Sequence, residues 1–283
     1  MEVSTVAGGS EKKEHHRTWL RVFFVGLLLY FVSIALVAFT GNGTLFPTAV
    51  LLGSFMVPAT FVTFLYERRR LSDLTMPTVA LSFFWGGILG VLAASILEPI
   101  FVQGLNPATA FVVGLIEELA KLLGIFVVAR RRPHDSEING LLLGAAAGMG
   151  FAALESTGYA FTAFLRSGGS LSATVIVTLI RALLSPVGHG TWTAILAGAI
   201  FRESENGRYR FTRYVVGAYL LVVILHGLWD AVPLVISAFL LPGLDVFIGQ
   251  ATVGLTGALI FWWRWRQASQ AQSQVQEEEI EIT

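Results

Sequence analysis

The sequence predicts an all-α, polytopic transmembrane bundle of about eight spanning helices with both termini in the cytoplasm, and three observations carry that reading. Of 283 residues, 54% are apolar and only 13% charged, more apolar surface than a soluble domain of this size could bury. Eight stretches approach the roughly 20 mostly apolar residues that a helix needs to cross about 30 Å of hydrocarbon. Lysine and arginine then gather in alternate connections between those stretches, as they do on the cytoplasmic side of a membrane.

Residues 1–16 are polar and are expected to be a disordered cytoplasmic N-terminus. The predicted spans follow as Trp19 to Thr40, Leu45 to Tyr66, Pro77 to Leu97, Thr109 to Ala129, Ile138 to Leu165, Leu171 to Phe201, Tyr214 to Leu240 and Val246 to Trp263. The first is too long for an ordinary signal-peptide core and no Ala-x-Ala site follows it, so it is read as a retained anchor. The fifth and sixth are long enough to be tilted or broken, and Pro186 is a kink point in the sixth. Lys12, Lys13, Arg17 and Arg21 precede the first span, Arg68 to Arg70 follow the second, and Arg130 to Arg132 follow the fourth. Arg202, Arg208, Arg210 and Arg213 lie between the sixth and seventh, and Arg264 and Arg266 follow the eighth. The opposite connections carry only Arg166. Trp19, Trp262, Trp263 and Trp265 cluster near the cytoplasmic boundary like an interfacial belt. From Gln267 to residue 283 the composition turns to Gln and Glu and predicts a disordered cytoplasmic tail, leaving residues 17–266 as one transmembrane domain, its central helices at about 109–240.

Composition also closes several functional branches. Formal net charge is zero and the basic residues are scattered in short groups, which offers nothing to a nucleic acid. No cysteine is present, so disulfides, thiolate metal sites, iron–sulfur clusters and a cysteine nucleophile are excluded together.

What remains unusual is a set of ionisable residues inside apolar stretches. Glu117, Glu118 and Lys121 stand in the run GLIEELAK, Glu155 in FAALESTGY, Arg181 and His189 in RALLSPVGHGTW, and His226 and Asp230 in HGLWD. An ionised side chain at the bilayer centre costs about 2.5–3.5 kcal/mol, so the two glutamates, the lysine, Glu155 and Asp230 together cost on the order of 15 kcal/mol unless they face one another or water. At about 1.5 Å of rise per residue, Glu118, His189 and His226 each lie roughly 17–18 Å from the cytoplasmic boundary, with Glu155 and Asp230 somewhat higher, at roughly 24–26 Å. Three helices thus deliver polar groups to one layer.

Local spacing suggests roles. Lys121 is three residues from Glu118 and four from Glu117, close enough to neutralise either. The adjacent glutamates point about 100° apart, which predicts one catalytic and one supporting carboxylate without saying which. His226 and Asp230 are four apart, so the carboxylate can orient the ring or share its ligand. Arg181 is expected to be structural, snorkelling or pairing with a carboxylate. Gly148, Gly150, Gly188, Gly190 and Gly227, with Ala145 to Ala147, predict close helix contacts. No His-Glu-x-x-His pair and no Gly-Asp dyad is present, and neither Ser156 nor Ser185 stands in a Gly-x-Ser-Gly context, which leaves a glutamate-centred or metal-assisted hydrolase.

The order Glu-Glu-x-x-Lys (Glu117, Glu118, Lys121), Phe-x-x-x-Glu (Phe151, Glu155), a helix with His189, then His-x-x-x-Asp (His226, Asp230) resembles the PrsW family of intramembrane proteases, relatives of the CAAX prenyl endopeptidase and bacteriocin-processing proteins. The likeness covers the fourth to seventh spans, and Ser156 stands where the family often has asparagine. It implies a multi-pass protein of the bacterial plasma membrane that hydrolyses peptide bonds of membrane-anchored substrates, anti-sigma factors among them. It implies that Glu117 or Glu118 activates water, that His189 and His226 stabilise the oxyanion or bind metal, and that Glu155, His189 and His226 could hold a divalent ion such as zinc. Two other readings use the same residues: a proton- or ion-coupled transporter, which should show related halves, and a non-catalytic membrane partner, which should tolerate Glu118→Gln.

Overall fold

In a computed structural model the chain is described over residues 17–69, 72–130, 136–205, 207–237 and 244–282; residues 1–16, Arg70, Arg131 and Arg132 lie outside these. The described residues form helices α1 (Thr18–Thr40), α2 (Phe46–Glu67), α3 (Met76–Phe101), α4 (Thr109–Ala129), α5 (Glu137–Arg166), α6 (Leu171–Leu184), α7 (His189–Arg202), α8 (Arg213–Ile236) and α9 (Leu244–Ile282), with no strand among them. Six stretches of them are long and apolar enough to cross a membrane: α1, Gly43–Glu67, α3, α5, Leu171–Arg202 and α8. α4 is of similar length but carries three ionisable side chains in its middle.

The predicted sixth span is two helices. α6 ends at Leu184, the single 3-10 turn Ser185–Val187 contains Pro186, and α7 starts at His189. Proline lacks the N–H that would continue the ladder and crowds the preceding turn, so the helix breaks where the sequence put a kink point. The break sets His189 in the first turn of a helix beginning at mid-depth.

Two boundaries depart further from the sequence reading. α3 runs to Phe101 rather than Leu97, which draws Glu98 into a helix that hydropathy had ended one residue earlier. α9 continues as helix past Gln267 to Ile282. Ala, Gln and Glu are strong helix formers, and extending an existing helix avoids the cost of nucleation; Gln272 also accepts a hydrogen bond from Ser136 at 3.0 Å.

α5 is the axis of the bundle. It packs against α7, α3, α2, α6, α4 and α9, and its apolar stretch is 89% buried, against 17% in the peripheral α1. Small residues from Gly140 to Gly150 allow this. A Cβ at Gly148 would strike the carbonyl of His189, and one at Gly144 would lie 2.5 Å from that of Thr193. The backbones of α5 and α7 therefore approach as glycine-mediated membrane contacts do, and α7 is fixed in depth and rotation against α5.

Candidate active site

Four helices and the helix break converge on one buried cluster. α4 contributes Glu117, Glu118 and Lys121, α5 Glu155, α7 His189 and Thr193, and α8 His226 and Asp230, while α6 adds Arg181 from just before the break. All seven residues singled out from the sequence are brought together.

Lys121 is the hub. Its Nζ donates to Glu118 Oε1 at 2.8 Å, His189 Nδ1 at 2.9 Å and Glu117 Oε2 at 3.0 Å, and it lies 4.1 Å from the centre of the Phe151 ring. An ammonium has three protons and accepts nothing. Each proton has one acceptor here, which is how a cation with no solvent exposure is tolerated.

That geometry assigns the histidine tautomers. His189 Nδ1 must be an acceptor, so its proton is on Nε2, which faces Glu155 Oε2 at 3.2 Å. His226 Nδ1 lies 3.0 Å from Glu118 Oε1 and donates to it, leaving Nε2 as the free lone pair. Nε2 faces Glu117 Oε2 at 3.6 Å and Asp230 Oδ2 at 3.8 Å. The two imidazoles lie 5.0 Å apart, and the Trp192 ring sits 5.5 Å from one and 5.0 Å from the other, an aromatic wall behind both.

The two glutamates differ sharply. Glu118 is fully buried, and both of its oxygens are engaged: Oε1 by Lys121 and His226, Oε2 by the Thr193 hydroxyl at 3.0 Å. Glu117 has Lys121 on Oε2, and the same oxygen lies 3.6 Å from His226 Nε2 and 3.9 Å from His189 Nδ1.

Glu155 is held from its far side by Arg181, whose Nη2 donates to Oε2 at 2.7 Å while Nε donates to Ser156 Oγ at 3.2 Å. The guanidinium also stacks 3.9 Å from the centre of the Tyr159 ring. Ser156 thus takes a hydrogen bond from an arginine on the neighbouring helix. Exposure rises across the cluster, from nothing at Lys121 and Glu118 and 6% at Glu117 to 19% at Glu155, 25% at Asp230 and 27% at Arg181. Glu98, Glu155 and Asp230 all lie in the C-terminal halves of α3, α5 and α8, so the cluster opens toward the end of the bundle where those helices finish.

Glu117, His189 and His226 present ligand atoms within 4.8 Å of one another and form a group that could hold a metal. The donors fit: two imidazoles and a carboxylate make a His₂Glu set. Each imidazole has its second nitrogen turned toward a carboxylate, Glu155 for His189 and Glu118 for His226, the support that metal-bound histidines receive. The sequence had set Glu155 in that trio; its Oε2 is shared between Arg181 and His189, and Glu117 is the carboxylate that comes near both rings.

Sequence reasoning passed over two contributors and named a third without its partners. Thr193 could have been found as the residue four after His189 on the same helical face. Glu98 was set in a loop because the apolar run ends before it. Arg181 was expected to snorkel or pair with a carboxylate, and it pairs with Glu155; its partners Glu155 and Ser156 lie 26 and 25 residues away, a distance that no local pattern bridges.

Compared with known proteins, the chain matches the PrsW family of intramembrane metalloproteases over residues 75–263, well over half its length. No curated protein and no solved structure matches it.

Proposed function

The chain belongs to the PrsW family of intramembrane proteases, and from the geometry of its buried cluster we propose that it cleaves peptide bonds of membrane-anchored proteins, with Glu117 as the group that activates water. The observation that carries this is the asymmetry of the glutamate pair: Glu118 has both oxygens occupied by Lys121, His226 and Thr193, whereas Glu117 stands nearer the open side and close to both histidines. A general base must reach the proton it removes, and a carboxylate saturated with donors is a poor one.

In this reading water enters from the end of the bundle lined by Glu98, Glu155, Asp230 and Arg181. Glu117 takes a proton from water as its oxygen bonds to the scissile carbonyl carbon. The electrons displaced onto the carbonyl oxygen are stabilised by the field of the Lys121 ammonium, because His226 Nε2 in this tautomer offers a lone pair and not a proton. As the C–N bond breaks, Glu117 returns the proton to the leaving nitrogen, so the net reaction is addition of one water across the peptide bond. Glu118 fixes the His226 tautomer and, with Lys121, holds α4 against α7 and α8. Glu155 does the same for His189 and is itself positioned by Arg181, while Asp230 faces the second nitrogen of His226. A divalent ion such as zinc, when bound, would be held by Glu117, His189 and His226, and would polarise the carbonyl and acidify the water.

The protein acts as a multi-pass protein of the bacterial plasma membrane, both termini cytoplasmic, on single-span substrates of which an anti-sigma factor is one class. The test is cleavage of a single-span substrate by purified protein in detergent, with and without chelator, comparing wild type with Glu117→Gln and Glu118→Gln. Loss of cleavage in both variants is expected. Full cleavage by Glu117→Gln would overturn the assignment, and chelator resistance after prolonged dialysis would remove the metal from it.

A further inference from the structure

Lys121 bonds to two of the three side chains that could hold a metal, Glu117 through Oε2 and His189 through Nδ1. Its third bond, to Glu118 Oε1, reaches the carboxylate that supports the third metal-capable residue, His226. Its position over the Phe151 ring completes a cage for a cation. Nothing in the sequence pattern predicted a bond from Lys121 to His189, since the two lie 68 residues apart on different helices. It arises because Gly148 lets the start of α7 sink against α5.

We propose that the Lys121 ammonium is a built-in competitor of the divalent ion: it satisfies the donor set in the metal-free protein, and an ion can enter only by displacing it from Glu117 and His189. Two consequences follow from charge and valence. A lone pair on His189 Nδ1 accepts either the Lys121 proton or a metal, so the two occupancies exclude each other at that atom. A divalent ion bound among these residues also meets a fixed positive charge with no solvent between, which weakens its binding through like-charge repulsion. The intact chain therefore binds metal weakly and keeps its site assembled without it. This rests on the three donors named above, but not on their catalysing anything.

The experiment is titration of the full-length protein in detergent with cobalt(II), read by the visible absorption of a histidine-bound ion, and with zinc by competition. The variants are Lys121→Met, Glu118→Gln/Lys121→Met and His226→Ala. The double variant removes one charge of each sign, so it can be read if the single one does not fold. Lys121 removal should tighten cobalt binding about ten- to a hundredfold, the scale on which groups around a metal site change affinity. His226→Ala should abolish the absorption. Wild type that binds cobalt as tightly as the Lys121 variants overturns the proposal, as does absence of binding in all of them. The protease reading fails separately, through a wild-type chain that cleaves no single-span substrate whatever its affinity for cobalt.

Discussion

Ion pairs stand at two depths in this protein, and they do different work. At the start of α5, Arg264 of α9 grips both carboxylate oxygens of Glu137, with Nη2 at 2.5 Å and 2.6 Å and Nε at 2.9 Å. Those side chains are 19% and 10% exposed, and they tie one helix to another. In the middle of the bundle, Lys121 joins Glu117 and Glu118 with almost no exposure and with histidines as further neighbours. The Arg264 pair stands apart at the start of a helix with part of each side chain exposed, so losing one partner costs less there than in the interior. The inner group has no solvent to fall back on, so each member is tolerated only because the others are present. The comparison teaches that inside the membrane a charge is placed by its partners, and that of the two glutamates Glu117 is the less enclosed by them, as its proposed role requires.

The contrast can be broken in order of expected effect. Glu117→Gln should slow cleavage by about a hundred- to ten-thousandfold, the contribution of a positioned general base, with little change in thermal unfolding; kinetics on a single-span substrate beside a melting curve measures both. Lys121→Met should destabilise the folded protein by about 3–5 kcal/mol, because two buried carboxylates lose their cation; unfolding in mixed micelles reads this, and a stability equal to wild type would show that the inner group is not mutually dependent. Arg181→Gln should leave the fold intact and slow cleavage about tenfold, on the scale of a group supporting an active-site ligand, with Arg181→Lys recovering part of the rate. A rate unchanged by Arg181→Gln would make the guanidinium merely structural. Glu137→Gln should cost less than about 1 kcal/mol and leave cleavage unaltered; a larger loss would place the tie between α5 and α9 on the same footing as the inner cluster.

Much of this arrangement was legible residue by residue. Pro186 marked the break that starts α7, and the rise per residue brought Glu118, His189 and His226 to one layer before any packing was known. The expected trio of Glu155, His189 and His226 rested on the order of the motifs along the chain, and that order does not say which way a side chain is turned. Glu155 proved to be clasped by Arg181 and Ser156, contacts set by how α6 lies on α5. Thr193, the partner of Glu118, belongs to α7 and meets α4 only across the interior. Beyond Gln267 composition reports only solubility, whereas helix propensity and an existing helix favour the continuation of α9.

The sequence by itself determined that this is a helical membrane protein of the PrsW type and that carboxylates, imidazoles and one ammonium stand at mid-depth. Hydropathy, the break at Pro186 and position along a helix are local properties, carried by neighbours in the chain. Only the tertiary structure decided which carboxylate faces which nitrogen. That depends on helix rotation, fixed by the close passage of α5 against α7 at Gly144 and Gly148. It is this passage that brings His189 to Lys121 and leaves Glu117, rather than Glu118, at the open side of the cluster.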